Sequence, residues 1–192
     1  MALQRCEWAE KDVLSCQYHD KEWGVPSFDD RYLFEMLILE GAQAGLSWSY
    51  VLKRREAYRQ VLHNFQPALI MEMEWAEFAN AMATGSLIRH PLKARAIRPN
   101  ACAFVAVVAE FGTFADYIWS FTGGKQIVNH WQTSKDVPTQ SPLSQKVGRD
   151  LKKRGFAFVG PTICYAYLQA IGVINDHTVD CFRWSFCDRN LV

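Results

Sequence analysis

Apolar side chains along this chain return every third or fourth position, and the points where that rhythm starts and stops lay out a series of short helices. Tyr32, Leu33, Met36, Leu37 and Glu40 follow Asp29 and Asp30, either of which can cap a first turn, and predict a helix over about 29–41, with Gly41 and Gly45 blurring its end. Val51, Leu52, Tyr58, Val61 and Leu62 mark the apolar side of a second helix from Trp48 to Asn64, with Pro67 shortly beyond it. Met71 to Met82 also reads as helical. Pro91 suits the first turn of a helix running to about Glu110, closed by Gly112, and Asp116 to Phe121 adds a short turn before Gly123 and Gly124. Thr133 to Pro142 is a polar loop. Leu143 to Arg154 is helical again, Gly155 to Gly160 forms a hairpin, and Pro161 to Ala170 is a helix that Gly172 ends. With no internal repeat and no alternating strand pair, the expected class is all-α, one helical domain over residues 1–192.

The 49% hydrophobic and 14% aromatic content of the 192 residues suits a folded globule with a sizeable core. A net charge of +1 means that any nucleic-acid footprint is a local patch rather than a basic molecule. The start, MALQRCEWAEKD, lacks an apolar stretch after its charges, and no segment approaches the roughly 18 apolar residues of a membrane span, so a cytoplasmic protein without membrane contact is expected. In that setting the six cysteines are reduced thiols or metal ligands rather than disulfides.

Cys6 and His19 near one end, with His177 and Cys181 near the other, make two thiolates and two imidazoles, the composition of a closed tetrahedral zinc set whose role is to tie the termini together. His177 and Cys181 share a face if their segment is helical. Spacing leaves Cys16 as a rival to Cys6 and Cys187 as a rival to Cys181. Read as ordinary residues, the same cysteines are small core hydrophobes and the histidines are satisfied side chains. Glu40, within LILEGAQAGLSW, is a carboxylate among apolar neighbours. It either recognises the amino edge of a purine or reaches solvent from a helix end. Trp8, Tyr18, Trp23 and Trp48 offer flat faces for a base lifted out of a nucleic-acid stack, or simply fill the core. Lys152, Lys153 and Arg154 lead into Gly155, and Gly160 opens the next helix; backbone amides there suit a phosphate oxygen, while the basic run equally suits a solvated helix end.

Six ordered blocks decide among these readings: RCEW at 5–8, YHDKEWGVP at 18–26, LFEMLILEGAQAGLSW at 33–48, IRHPLKARAI at 88–97, LKKRGFAFVGPTICYAYLQAIGVINDH at 151–177, and Cys181. In them the chain resembles the DNA-3-methyladenine glycosylase I family of the helix-hairpin-helix superfamily over nearly its whole length. The resemblance implies an all-α fold with its helix-hairpin-helix at about 143–172 and its termini joined by a structural zinc on Cys6, His19, His177 and Cys181. Glu40 then matches the base-recognising glutamate and chief contributor to catalysis, Tyr18, Trp23 and Trp48 the pocket aromatics, Gly45 and Leu46 the DNA-wedging turn, and Trp8 a tryptophan near the pocket. Lys153, Arg154, Gly155 and Gly160 are the expected DNA contacts of the hairpin.

The implied activity is hydrolysis of the N-glycosidic bond of 3-methyladenine in alkylated double-stranded DNA, releasing the base and leaving an abasic site. It needs no organic cofactor, and a monomer is expected. The family lacks the superfamily's catalytic aspartate; Asp176 and Asp180 lie nearby, and Asp176 is expected to hold the ligand loop or orient an imidazole. Two departures stand out: Ser15 occupies the place of a family tyrosine, and the tail after Cys181 differs.

Overall fold

Asp12 and Asp29 start the first two helices of the computed structural model, which describes residues 3–184. After a 3-10 turn over Glu7–Lys11, the Asp12 carboxylate accepts the Ser15 amide at the head of α1 (Val13–Lys21), and Asp29 accepts the Tyr32 amide at the head of α2 (Asp30–Gln43). α3 (Trp48–Leu52) and α4 (Arg55–Val61) lead through a second 3-10 turn to α5 (Pro67–Glu72), α6 (Trp75–Thr84) and the long α7 (Pro91–Phe111). α8 (Phe114–Ser120) precedes β1 (Ile127–Val128), and α9 (Pro142–Lys153), α10 (Pro161–Ala170) and β2 (Ile174–Asn175) follow. Among the described residues no single helix is long and apolar enough to cross a membrane.

Four details depart from the sequence pattern. α1 carries Tyr18 and His19 on a helix that periodicity does not mark, because its polar and apolar residues are poorly segregated. The helix expected from Trp48 to Asn64 is two, parted at Lys53 and Arg54, and the second piece presents Arg55 and Arg59 to the buried Glu35 at 2.6 and 2.9 Å. The helix expected over Met71 to Met82 is also two, because Glu74 and Glu77 close a capping box that starts α6 afresh. Finally, β1 and β2 form a parallel pair, Ile127 with Ile174 and Val128 with Asn175, too short to show alternation in sequence.

α2 is the axis of the molecule. Every residue from Leu33 to Ala42 is buried, so the helix is enclosed on all sides by α3, α7, α8 and α10. Its first turn also caps a neighbour, since Asp30 accepts the amides of Phe114 and Ala115, both at 2.9 Å. α9 and α10 pack together around the 155–160 turn, forming a helix-hairpin-helix. A Cβ on Gly148 would come 2.7 Å from the Val159 carbonyl, so the hairpin backbone lies directly on α9, and Asn100 of α7 brackets Ala157 through both its amide and its carbonyl. The first and last described segments meet where the Phe182 amide donates to the Gln4 carbonyl at 3.0 Å.

Candidate functional site

A cavity of about 500 Å³ opens beside α2, and Trp8, Tyr18, Trp23, Glu40 and Trp48 all line it. Residues from four separate stretches of sequence thus meet in one place. Tyr18 and Trp48 tilt against each other with ring centres 5.0 Å apart, and Trp8 meets Trp23 edge-on at 5.0 Å. Three polar atoms on this wall are buried without a hydrogen-bond partner among the described residues: the Tyr18 hydroxyl, Glu40 Oε2 and Trp48 Nε1. Buried polar groups are nearly always paired, so three orphans on residues that line one cavity mark it as a place for a polar, planar guest.

Burial pushes the Glu40 carboxyl up to about 8. Glu35, one turn earlier on the same helix, is buried too but answered by two arginines. Glu40 therefore holds its proton to a higher pH than an ordinary glutamate. Asp12 sets the spacing of the aromatic wall: besides capping α1, it accepts the Ser15 hydroxyl at 3.1 Å and the Ser49 hydroxyl at 2.5 Å, tying the helix of Tyr18 to the helix of Trp48. Ser15, where a larger residue was expected from the resemblance, is itself part of the cavity wall.

Behind Trp23 lies a buried cluster of Cys6, His19, His177 and Cys181, whose ligand atoms all fall within 4.8 Å of one another. Cys181 Sγ stands 3.4 Å from His19 Nε2 and 3.5 Å from His177 Nδ1, and Cys6 Sγ stands 3.6 Å from the same Nδ1. A tetrahedral zinc with its usual ligand bonds requires sulfur-to-nitrogen edges of about 3.6 Å, so the donor set fits such an ion. The outer ring nitrogens are held as well: Asp20 accepts from His19 Nδ1 at 2.8 Å and is itself clamped by Arg5, while the Trp23 carbonyl faces His177 Nε2 at 3.0 Å. Burial lowers the pKa of His177, favouring the neutral imidazole that a metal requires. The thiol of Cys181, facing Cys6 and both histidines, loses its proton more readily than a free cysteine, and that of Cys6 correspondingly less. The segment from His177 to Cys181 is not helical; the two residues flank a turn in which the Cys181 amide donates to the Thr178 carbonyl. Cys16 stands apart, its thiol donating to the Ala9 carbonyl, and Cys187 lies outside the described residues.

Gly45, at φ +75°, makes the turn after α2, and Leu46 beyond it is 39% exposed. In the hairpin Gly155, at φ +95°, ends α9 and Gly160 begins α10, both exposed. Lys152 and Lys153 are exposed, but Arg154 is turned inward: it pairs with Glu110 at 2.6 Å and Asp150 at 2.8 Å and lies over Phe111 and Tyr117. Its guanidinium is thus paired within the protein, whereas Lys152 and Lys153 face outward. Asp176 accepts from Asn129, Trp131, Tyr165 and Gln169, so it braces the cavity's far wall and does not orient an imidazole; Asp180 is exposed and pairs with Gln4. Ser134 and Val137, from the loop read as merely polar, also line the cavity. Nothing in their sequence context marks them.

Comparison with known proteins accords with this arrangement. A family model described as methyladenine glycosylase matches residues 8–184. The chain is 46% identical to a DNA-3-methyladenine glycosylase of Haemophilus influenzae, covering 92% of this chain and 96% of that protein, and 44% identical to DNA-3-methyladenine glycosylase 1 of Escherichia coli, covering 93% and 96%. It superposes on a crystal structure of 3-methyladenine DNA glycosylase I with a TM-score of 0.89 at 47% identity, covering 93% of this chain and 98% of that one. The Staphylococcus aureus 3-methyladenine DNA glycosylase I, solved to show how it recognises 3-methyladenine, gives 0.89 at 31% identity over 95% and 97%. With an aromatic cavity around a buried carboxyl on a helix-hairpin-helix frame, and likeness to these enzymes along almost its entire length, the chain belongs to the methyladenine glycosylase family.

Proposed function

We infer that this protein is a DNA-repair enzyme that removes 3-methyladenine from alkylated double-stranded DNA. The observation that carries the reading is the set of unpartnered buried polar atoms on Tyr18, Glu40 and Trp48, three residues that line one aromatic cavity. A base inside a duplex is out of reach, so the damaged nucleotide turns out of the stack and its base enters between the rings. Leu46, exposed on its turn, takes the vacated space, while the hairpin amides and Lys153 hold the backbone. Methylation at N3 leaves the base cationic in DNA, and that charge draws the Glu40 carboxyl into its ionised form. Water adds to the sugar C1′, the bond to the base nitrogen breaks with its electron pair on the base, and one proton passes to solvent. The leaving purine is neutral, so selective binding of the cationic, departing base supplies much of the acceleration. The test is release of free 3-methyladenine from methylated duplex by the wild-type protein, followed by chromatography. Glu40→Gln, which keeps the shape and loses the charge, should slow release by roughly 10- to 1,000-fold; unchanged kinetics would remove Glu40 from the reaction.

We further propose that Cys6, His19, His177 and Cys181 hold a structural zinc. The edge lengths and the outer partners of both imidazoles support it. With four protein ligands no position is left for a reacting water, so the ion's contribution is to lock the first and last segments together. A monomer in the reducing cytoplasm suits both the ion and the free thiols.

A further inference from the structure

Lys93, near the start of α7, is only 8% exposed, yet among the described residues no carboxylate pairs with it. Its ammonium donates to two backbone carbonyls, Ala42 at 2.8 Å and Ala44 at 2.5 Å. These carbonyls belong to different parts of the chain's path. Ala42 lies in the last turn of α2, while Ala44, with ψ 113°, has already left the helix and enters the turn of Gly45 and Leu46. One cation therefore spans the junction between the helix that carries Glu40 and the turn that carries Leu46. A buried ammonium is costly, and Gly45 at φ +75° already stands where the chain leaves the helix, so the arrangement asks for a purpose beyond capping.

The surroundings supply one. The Lys93 stem lies in a small cleft with Gly41 and Phe158. Phe158 is the hairpin residue held at φ +57°; a Cβ on Gly41 would sit 3.3 Å from its own Cβ, and His90 meets its ring edge-on. Lys93 thus stands where the hairpin, the wedge turn and the helix of the base-binding carboxyl converge.

We propose that Lys93 is a positioning residue for base excision: by bridging Ala42 and Ala44 it fixes the distance between Leu46, which fills the gap in the duplex, and Glu40, which receives the extruded base. The inference rests on the function proposed above. It predicts a defect that appears only when the enzyme must open DNA. A loosened wedge slows capture and commitment of the nucleotide, whereas the cavity, although Glu40, Gln43, Ser47 and Trp48 beside the turn contribute to it, takes most of its wall from residues before Gly24 and after Thr133 and keeps its affinity for the free base. A misplacement of about 1 Å remote from the chemistry can cost up to roughly 100-fold in rate.

The experiment compares wild type with Lys93→Met in two assays: single-turnover release of 3-methyladenine from methylated duplex at saturating enzyme, and binding of free 3-methyladenine followed by tryptophan fluorescence. The expected result is a rate reduced by about 10- to 100-fold with base affinity within about twofold of wild type, and partial recovery of the rate in Lys93→Arg. A Lys93→Met rate close to wild type, or a base affinity that falls in step with the rate, overturns it. Should Lys93→Met melt below the assay temperature, Lys93→Gln, which retains a donor without the charge, is judged by the same criteria. Wild-type protein that releases no base would defeat the proposed function itself; wild-type release with an unimpaired Lys93→Met would defeat this inference alone.

Discussion

Glu40 is kept in surroundings that work against its charge. Its pKa rises from 4.5 toward about 8 on folding, so the folded chain holds a proton there that the unfolded chain gives up. For an acid shifted upward the favourable contribution is complete below about 4.5 and is lost as pH climbs through about 8. Glu40→Gln, which does not titrate, should therefore match wild type in thermal stability at pH 4.5 and exceed it increasingly toward pH 8. The difference should reach a few kcal/mol, or several degrees in Tm. Parallel melting curves for the two proteins across that range would show that Glu40 is not the strained group. Much of this site is legible in the amino-acid sequence: the carboxyl among apolar neighbours and the aromatic set are visible as residue types in suggestive places. What the residues alone leave open is convergence, because an orphaned hydroxyl or indole nitrogen is defined by neighbours from distant segments. Asp12 illustrates the limit. In sequence it is one more acid ahead of a helix, and only the fold brings the Ser49 hydroxyl to it.

At the level of elements, the hairpin separates charges that serve the fold from charges that face outward. Arg154 joins α9 to the end of α7 through Glu110, so Arg154→Ala should lower stability by about 1–2 kcal/mol while leaving the salt dependence of DNA binding unchanged. Lys153→Ala should do the reverse, reducing the slope of log affinity against log salt by about 0.9 with little change in Tm. Equal slopes in Lys153→Ala and wild type would take Lys153 off the DNA. Gly148→Ala tests the packing beneath: a methyl meeting the Val159 carbonyl must push the hairpin off α9, at a cost of about 1–3 kcal/mol, seen by denaturant titration. Helices bounded by Pro, Gly or a capping acid, such as α2, α7, α9 and α10, are legible because those signals are local. The break inside 48–64 is not, since an apolar rhythm continues across it and tertiary partners such as Glu35 decide where the axis changes; the break inside 71–82 has a local signal, the Glu74–Glu77 capping box, which the apolar rhythm hides.

Across the whole molecule, the cluster of Cys6, His19, His177 and Cys181 closes the chain into a ring of elements. If it holds zinc, purified protein should contain one equivalent, and chelation should lower Tm by on the order of 10 °C, with zinc restoring it. Metal-free protein whose melting a chelator does not move would refute the assignment. The same closure bears on how the enzyme is made. Trp8 and Tyr18 leave the ribosome early, whereas Asp176 and Thr178, which complete the same cavity, emerge long afterwards. A nascent or prematurely terminated product therefore carries the aromatic half of the pocket without its far wall and without His177 and Cys181 of the cluster behind it. Translation order therefore delays the finished pocket until Asp176 and Thr178 have been made, and a fragment that stops short of Asp176 is expected to release no base.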